Sequence, residues 1–249
     1  FKKKNSFKKK IVLLLSNKVT NKVLFDYFKD YLLIIRDEAT INKLSRISES
    51  LDCNLGSAIE FKNNKILLPS ESHNYVEKEI KNKNIKLLSI KEEHLKLGKK
   101  QLELMNIPGD AWYVTLHMRE SSYRKTNIKE ITESFRNVDP ANYLPAIKLI
   151  TDSGGYVFRM GHAGMTPLKN TTGLIDYANS KYRSELMDVF LGSTSKFCLG
   201  TSSGYYAIPK CFSVPVLLSD CPNHLSYFEL GATDLYLPRL FKFKENDKL

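Results

Sequence analysis

The sequence has only four cysteines in 249 residues, and no two of them form a Cys-x-x-Cys pair. That spacing offers no framework for a structural zinc site. Cys198, Cys211 and Cys221 sit in or beside apolar segments, as the reduced, buried thiols of a cytosolic protein do. Long apolar runs are missing too. The longest aliphatic stretch, Ile11 to Leu15, falls far short of the ~20 residues a membrane-crossing helix needs. No small-residue cleavage site follows it, so it does not read as a secretory signal. The Asn170-Thr171-Thr172 sequon is accordingly taken as coincidental. Asp-x-Asp is also absent, which removes the short acidic motif that clamps a metal-bound diphosphate, and no metal is expected.

What the sequence does have is positive charge: 38 Lys and Arg against 27 Asp and Glu, a formal balance of +11. A nucleic-acid binder would spread such an excess along one face, with aromatics interleaved. Here Lys2, Lys3, Lys4, Lys8, Lys9 and Lys10 account for more than half of it, so nucleic acid is not expected. The cluster reads instead as a peripheral contact with an anionic membrane at its cytoplasmic face, each lysine contributing ~1 kcal/mol. A solvated tail is the alternative. The chain starts at Phe1 and stops in a Lys-rich stretch, and a piece of a longer polypeptide is expected.

Apolar periodicity divides the chain into alternating strands and helices. Ile11 to Leu15 reads as a buried parallel strand, Asn21 to Leu32 as a helix and Leu33 to Ile35 as the next strand. Glu38 to Leu51 is amphipathic, Ile85 to Ile90 a further expected strand, and Lys91 to Met105 a charged surface helix. Residues 106–110, with Pro108 and Gly109, form a linker. Beyond it, strands are expected over Tyr113 to His117, Tyr156 to Met160, Lys196 to Leu199 and Val214 to Leu218, with Leu174-Ile175 a short apolar segment. Between them lie a helix opened by Asp139-Pro140 and stopped at Gly154-Gly155, one over Arg183 to Leu191, and a short one over Ser203 to Cys211. The alternation predicts an α/β protein of two Rossmann-like domains, residues 1–108 and 109–249.

Parallel sheets bind ligands beyond the carboxyl ends of their strands, and three expected strand ends carry unusual residues. In Leu116-His117-Met118-Arg119-Glu120, His117 and Arg119 fall on one side by alternation, and the planar fork of Arg119 suits a phosphate. The competing reading pairs Arg119 with a surface acid. In Gly200-Thr201-Ser202-Ser203-Gly204, three hydroxyls and the start of a helix suggest a phosphate cradle, or ordinary capping. The motif lacks the Gly-Lys-Ser/Thr of an ATP-binding loop. At the third end, Arg159 is a possible second anion contact, Gly161 permits close approach of a ligand, and His162 is equally a loop residue. Asp176-Tyr177 would meet a ribose or base. Asn17 and Asn21, where the first strand meets its helix, are acceptor-side candidates or a turn and a cap.

Together these runs resemble a family. Tyr113 to Glu120, Arg136-Asn137-Val138-Asp139, Tyr143 to Ala146, Gly154 to Gly161, Ile175 to Ala178, Met187-Asp188, Gly200 to Gly204 and Asn21 to Tyr27 are similar to stretches of a group of bacterial glycosyltransferases. More distantly, the order of His-x-Arg strand and later Thr-Ser-Ser turn resembles the fucosyltransferase superfamily of GT-B fold. The resemblance implies two Rossmann-like domains whose parallel sheets face a cleft, and a nucleotide-sugar donor whose β-phosphate is held by Arg119. It also implies a diphosphate cradle of Thr201, Ser202, Ser203 and Gly204, with Asp176 at the nucleoside. Glu120 directly after the arginine departs from fucosyltransferases. Glu120 and His117 are the nearest candidates for a general base, and Asp26 a remote one. The acceptor implied is a glycan or lipid-linked sugar. A non-catalytic nucleotide- or phosphate-binding module is the alternative.

Overall fold

The computed structural model describes residues 11–14, 19–30, 32–50, 59–61, 65–67, 86, 88–121, 134–169, 171–222 and 233–241, which fall into two units divided between Tyr75 and Val76. The lysine cluster, Asn17, Cys53 and the sequon's Asn170 lie outside the described residues.

The first unit holds a parallel β-α-β arrangement. Strand β1, Ile11–Leu14, pairs with β2, Leu32–Ile35, in register from Ile11–Leu32 to Leu14–Ile35. Helix α1 between them spans only Lys22–Asp26, shorter than the expected Asn21 to Leu32. Leu32 is claimed by the parallel ladder, and the chain must leave the helix early to return beside β1. Helix α2, Glu38–Ser50, matches its periodicity and is opened by Asp37, whose carboxylate accepts the Thr40 N–H at 2.8 Å. Strands β3, Ile59–Phe61, and β4, Lys65–Leu67, form an antiparallel pair that the sequence pattern does not suggest.

No strand forms in the described part of 85–90; Leu88 is buried and its N–H donates to the Cys211 carbonyl at 3.0 Å. The expected surface helix is α3, Glu92–Leu104. It belongs to the second unit, placing Leu102 in one core with Tyr113 and Phe158.

The second unit is built on six parallel strands: β5 Tyr113–His117, β6 Tyr156–Arg159, β7 Leu174–Ile175, β8 Cys198–Gly200, β9 Val216–Cys221 and β10 Leu235–Pro238. Their order is β10-β9-β8-β5-β6-β7, with every neighbouring pair parallel. Counted from β7, this is the 3-2-1-4-5-6 order of doubly wound dinucleotide-binding sheets. Strand β10 is an addition to the expected set.

Helices cover both faces. Asp139 caps a 3-10 turn, Pro140–Tyr143, through the Ala141 N–H at 2.9 Å, and that turn runs into α4, Leu144–Asp152. From α4, Ile147 and Ile150 pack on Val114, Leu116 and Val157. On the other face α5, Glu185–Thr194, sets Met187, Phe190 and Leu191 against Tyr113, Phe158 and Met160. A strand buried on both faces reads as almost continuously apolar, which is why β5 was legible. The order reverses between β5 and β8, and the carboxyl ends of those two strands define the switch point.

Candidate functional site at the switch point

Gly200 lets the ends of β5 and β8 close on each other. A Cβ there would sit 2.4 Å from the His117 carbonyl oxygen, a backbone atom that cannot give way. The same carbonyl accepts the Thr201 N–H at 3.0 Å, and the Arg119 N–H donates to Thr201 Oγ1 at 3.1 Å. Arg119 and the Thr201–Ser203 turn therefore flank the switch point from its two sides, as their places in the sequence suggested.

The side chains of that turn are already engaged. Thr201 and Ser202 are buried. Arg136 Nη2 donates to the Ser202 carbonyl at 2.7 Å and approaches its Oγ at 3.4 Å. Ser203 Oγ lies 3.0 Å from His117 Nδ1, and the His117 ring stacks on Tyr205 with centroids 5.6 Å apart. The expected helix start at Ser203 is corrected: α6 spans only Ala207–Cys211, and residues 202–204 are bends. The hydroxyls bond across the sheet instead of capping a helix, so the cradle cannot draw on a helix N-terminus at Ser202–Gly204. Gly204 is exposed beside it.

Gly200 to Gly204 also spells Gly-x-Ser-x-Gly, the pattern of a nucleophile elbow, with Ser202 at the nucleophile position. An elbow holds its serine exposed on a strained turn. Ser202 is buried and has no positive φ. The histidine bonds Ser203 instead, and among the described residues no carboxylate hydrogen-bonds its other ring nitrogen, so the orienting third group of a nucleophilic triad is missing.

His117 and Arg119 take different partners beyond the strand. Arg119 Nη1 donates to Asn137 Oδ1 at 3.1 Å, whereas the His117 ring turns to Ser203 and Tyr205. Strand alternation stops at His117, the last residue of β5. Burial, with the nearby Arg159 and Arg119 guanidinium groups, pushes the imidazole down to about 4, so it is neutral at pH 7.

Glu120, Arg159 and Asp176 are brought together, though not around an open site. The Arg159 side chain is 0% exposed; it ion-pairs with Glu120 through Nη2 and with Asp176 through Nη1 at 2.9 Å. Its Nη2 also donates to the Thr166 carbonyl at 3.2 Å. Both carboxylates then reach into the loop after β6. Glu120 Oε2 accepts the Thr166 N–H at 3.0 Å and Asp176 Oδ2 the Leu168 N–H at 3.1 Å. These three residues, expected at the anion, the base and the nucleoside, are committed to one another and to that loop. Gly161 opens the loop at φ +148, with Met165 Sδ 2.1 Å from where a Cβ would stand; the tight approach is to the protein's own methionine. Tyr177 is fully buried, its hydroxyl 3.0 Å from Asp188 Oδ1. Asn21 caps α1, its Oδ1 accepting the Leu24 N–H at 2.7 Å.

Three residues at this end of the sheet escaped assignment from sequence. Asn137 and Arg136 stood within a family-like run, yet no chemistry distinguished them. Arg239 follows β10 and pairs with Asp220 at 2.7 Å; the apolar Leu235-Tyr236-Leu237 ending in Pro238 was its one signal. Among the described residues no three His, Cys, Asp or Glu cluster as metal ligands. The chain matches no family model, no curated protein and no solved structure.

Proposed function

We propose that the chain is a GT-B-like glycosyltransferase, that its second unit binds a nucleotide-sugar donor at the switch point between β5 and β8, and that Arg119 holds the diphosphate. The observation that carries this reading is the coincidence of topology and chemistry. A 3-2-1-4-5-6 parallel sheet has its ligand crevice where the strand order reverses, and at that point Arg119 stands opposite a Ser/Thr turn. The family-like runs noted in the sequence supply the sugar-transfer half of the reading.

In the proposed reaction an acceptor hydroxyl attacks the anomeric carbon, the bond from that carbon to the diphosphate oxygen breaks, and the diphosphate leaves with the electron pair. Arg119 stabilises the negative charge that develops there, without a metal. The hydroxyl proton needs an acceptor. Glu120 is held by the Arg159 guanidinium, whereas His117 is uncharged above about pH 4 and bonds the partly exposed Ser203 hydroxyl. The proton passes to Glu120 or His117, an imidazole held near 4 being a weak base at pH 7. The acceptor is a glycan or a lipid-linked sugar taken by the first unit, with Asn17 and Asn21 on that side. The setting is bacterial surface-polysaccharide synthesis in the cytoplasm, with the lysines of residues 2–10 drawing the enzyme to the membrane.

The test is donor turnover. With EDTA present, a panel of GDP- and UDP-sugars should include one from which the enzyme releases nucleoside diphosphate, with or without acceptor. Binding of the diphosphate with no release from any donor would favour a non-catalytic nucleotide-binding module.

A further inference from the structure

Asn137 follows the 3-10 turn Ser134–Arg136 and receives a hydrogen bond from Arg119 Nη1. A guanidinium only donates, so the amide oxygen must face it and the amide nitrogen must face away. The backbone around Asn137 holds that amide in place. Its N–H donates to the Ser134 carbonyl at 2.9 Å, and its carbonyl accepts from Arg239 Nη2 at 3.0 Å. Arg239 also donates to the Phe135 carbonyl and is itself gripped by both oxygens of Asp220, at 2.7 and 2.9 Å. One residue on, the Val138 N–H donates to the Arg119 carbonyl at 3.1 Å. Arg119 is tied to this turn by main chain and side chain together, and to Thr201 by its own N–H.

The chemistry of the partner matters. Arg159, in the same sheet, is oriented by two carboxylates and is wholly buried. One of the contacts of Arg119 is the Asn137 amide oxygen, and the residue is only partly buried. A carboxylate both aims and neutralises a guanidinium; an amide oxygen aims it and adds no charge. We infer that Asn137 is a positioning residue for Arg119, fixed by Arg239, and that its amide aims the guanidinium at the diphosphate of the nucleotide ligand. This rests on the reading that Arg119 binds that diphosphate.

Calorimetric titration of the full chain with GDP and with UDP tests it, comparing wild type, Asn137→Asp, Asn137→Ala, Arg239→Lys and Arg119→Ala. Asn137→Asp places a carboxylate against Arg119 and should weaken binding on the order of tenfold or more, while the unliganded melting temperature stays equal or rises. Asn137→Ala and Arg239→Lys add no charge and should weaken binding less. A residue with a merely structural role would instead lower the melting temperature in step with binding, and that outcome overturns the inference. So does wild-type affinity in Asn137→Asp when Arg119→Ala has lost binding, which leaves the reading of Arg119 intact. If wild type binds neither nucleotide, that reading itself fails and takes the inference with it.

Discussion

Burial moves two titratable groups of the second unit in opposite senses. The His117 imidazole is pushed down to about 4, and the Asp188 carboxyl up to about 6, chiefly by desolvation. Unfolded, His117 takes a proton near its ordinary value of ~6.5 that the folded chain refuses. Its contribution to stability is therefore complete above that pH and lost as pH falls towards 4. Asp188 behaves inversely: the folded chain keeps a proton that the unfolded chain releases near ~3.9, so its contribution is present at low pH and lost as pH rises through 6. The two slopes oppose each other across the same window. Thermal unfolding between pH 4 and 7 should separate them. Relative to wild type, Asp188→Asn should show a melting temperature that climbs more steeply with pH. His117→Gln should show one that climbs less or falls. Parallel profiles for all three would mean that neither group is buried as described.

Between the residue and the sheet stands the loop after β6, fixed by the Glu120–Arg159–Asp176 group. Removing the cation by Arg159→Met leaves two carboxylates facing each other in the interior, and breaking such a group costs about 3–5 kcal/mol. Urea denaturation should show a loss of that size for Arg159→Met, against a far smaller one for the half-buried Arg119→Ala. Equal losses would contradict the division of these arginines into strut and ligand contact. The same group shows what sequence could not convey. Strands β5 and β6 were legible because burial on both faces leaves a run of apolar residues. Arg159 and Asp176 looked like ligand contacts because charge at a strand end is conspicuous. Their partners, however, lie far along the chain, and spacing carries no trace of such pairing. The Thr201–Ser203 hydroxyls misled for the same reason. They suggested a helix start at Ser203, but their bonds run to His117 at the end of β5, to Arg119 just beyond it and to Arg136, and the helix begins at Ala207.

For the whole molecule, the two units carry different shares of the account. The contacts that tie α3, the six-stranded sheet and the switch point together all lie within the unit beginning at Val76. A fragment spanning 76–249 should therefore unfold cooperatively and bind nucleoside diphosphate about as well as the full chain, while sugar transfer to an acceptor is lost. A fragment that folds but has lost nucleotide binding would place part of the donor site in residues 1–75. Charge, the most conspicuous property of the sequence, is concentrated near its start: the six lysines at residues 2–10 carry more than half of the excess. Among the described residues no helix is long and apolar enough to cross a membrane.

The central claim is that Arg119 grips a diphosphate at the switch point of this sheet. Calorimetric titration of GDP and UDP into wild type and Arg119→Ala, with EDTA present, measures it directly. One of the two nucleotides should bind wild type and lose at least about 2 kcal/mol, some thirtyfold in affinity, in the variant, as expected for a charge-assisted hydrogen-bonded contact. Equal affinity for wild type and variant would contradict it.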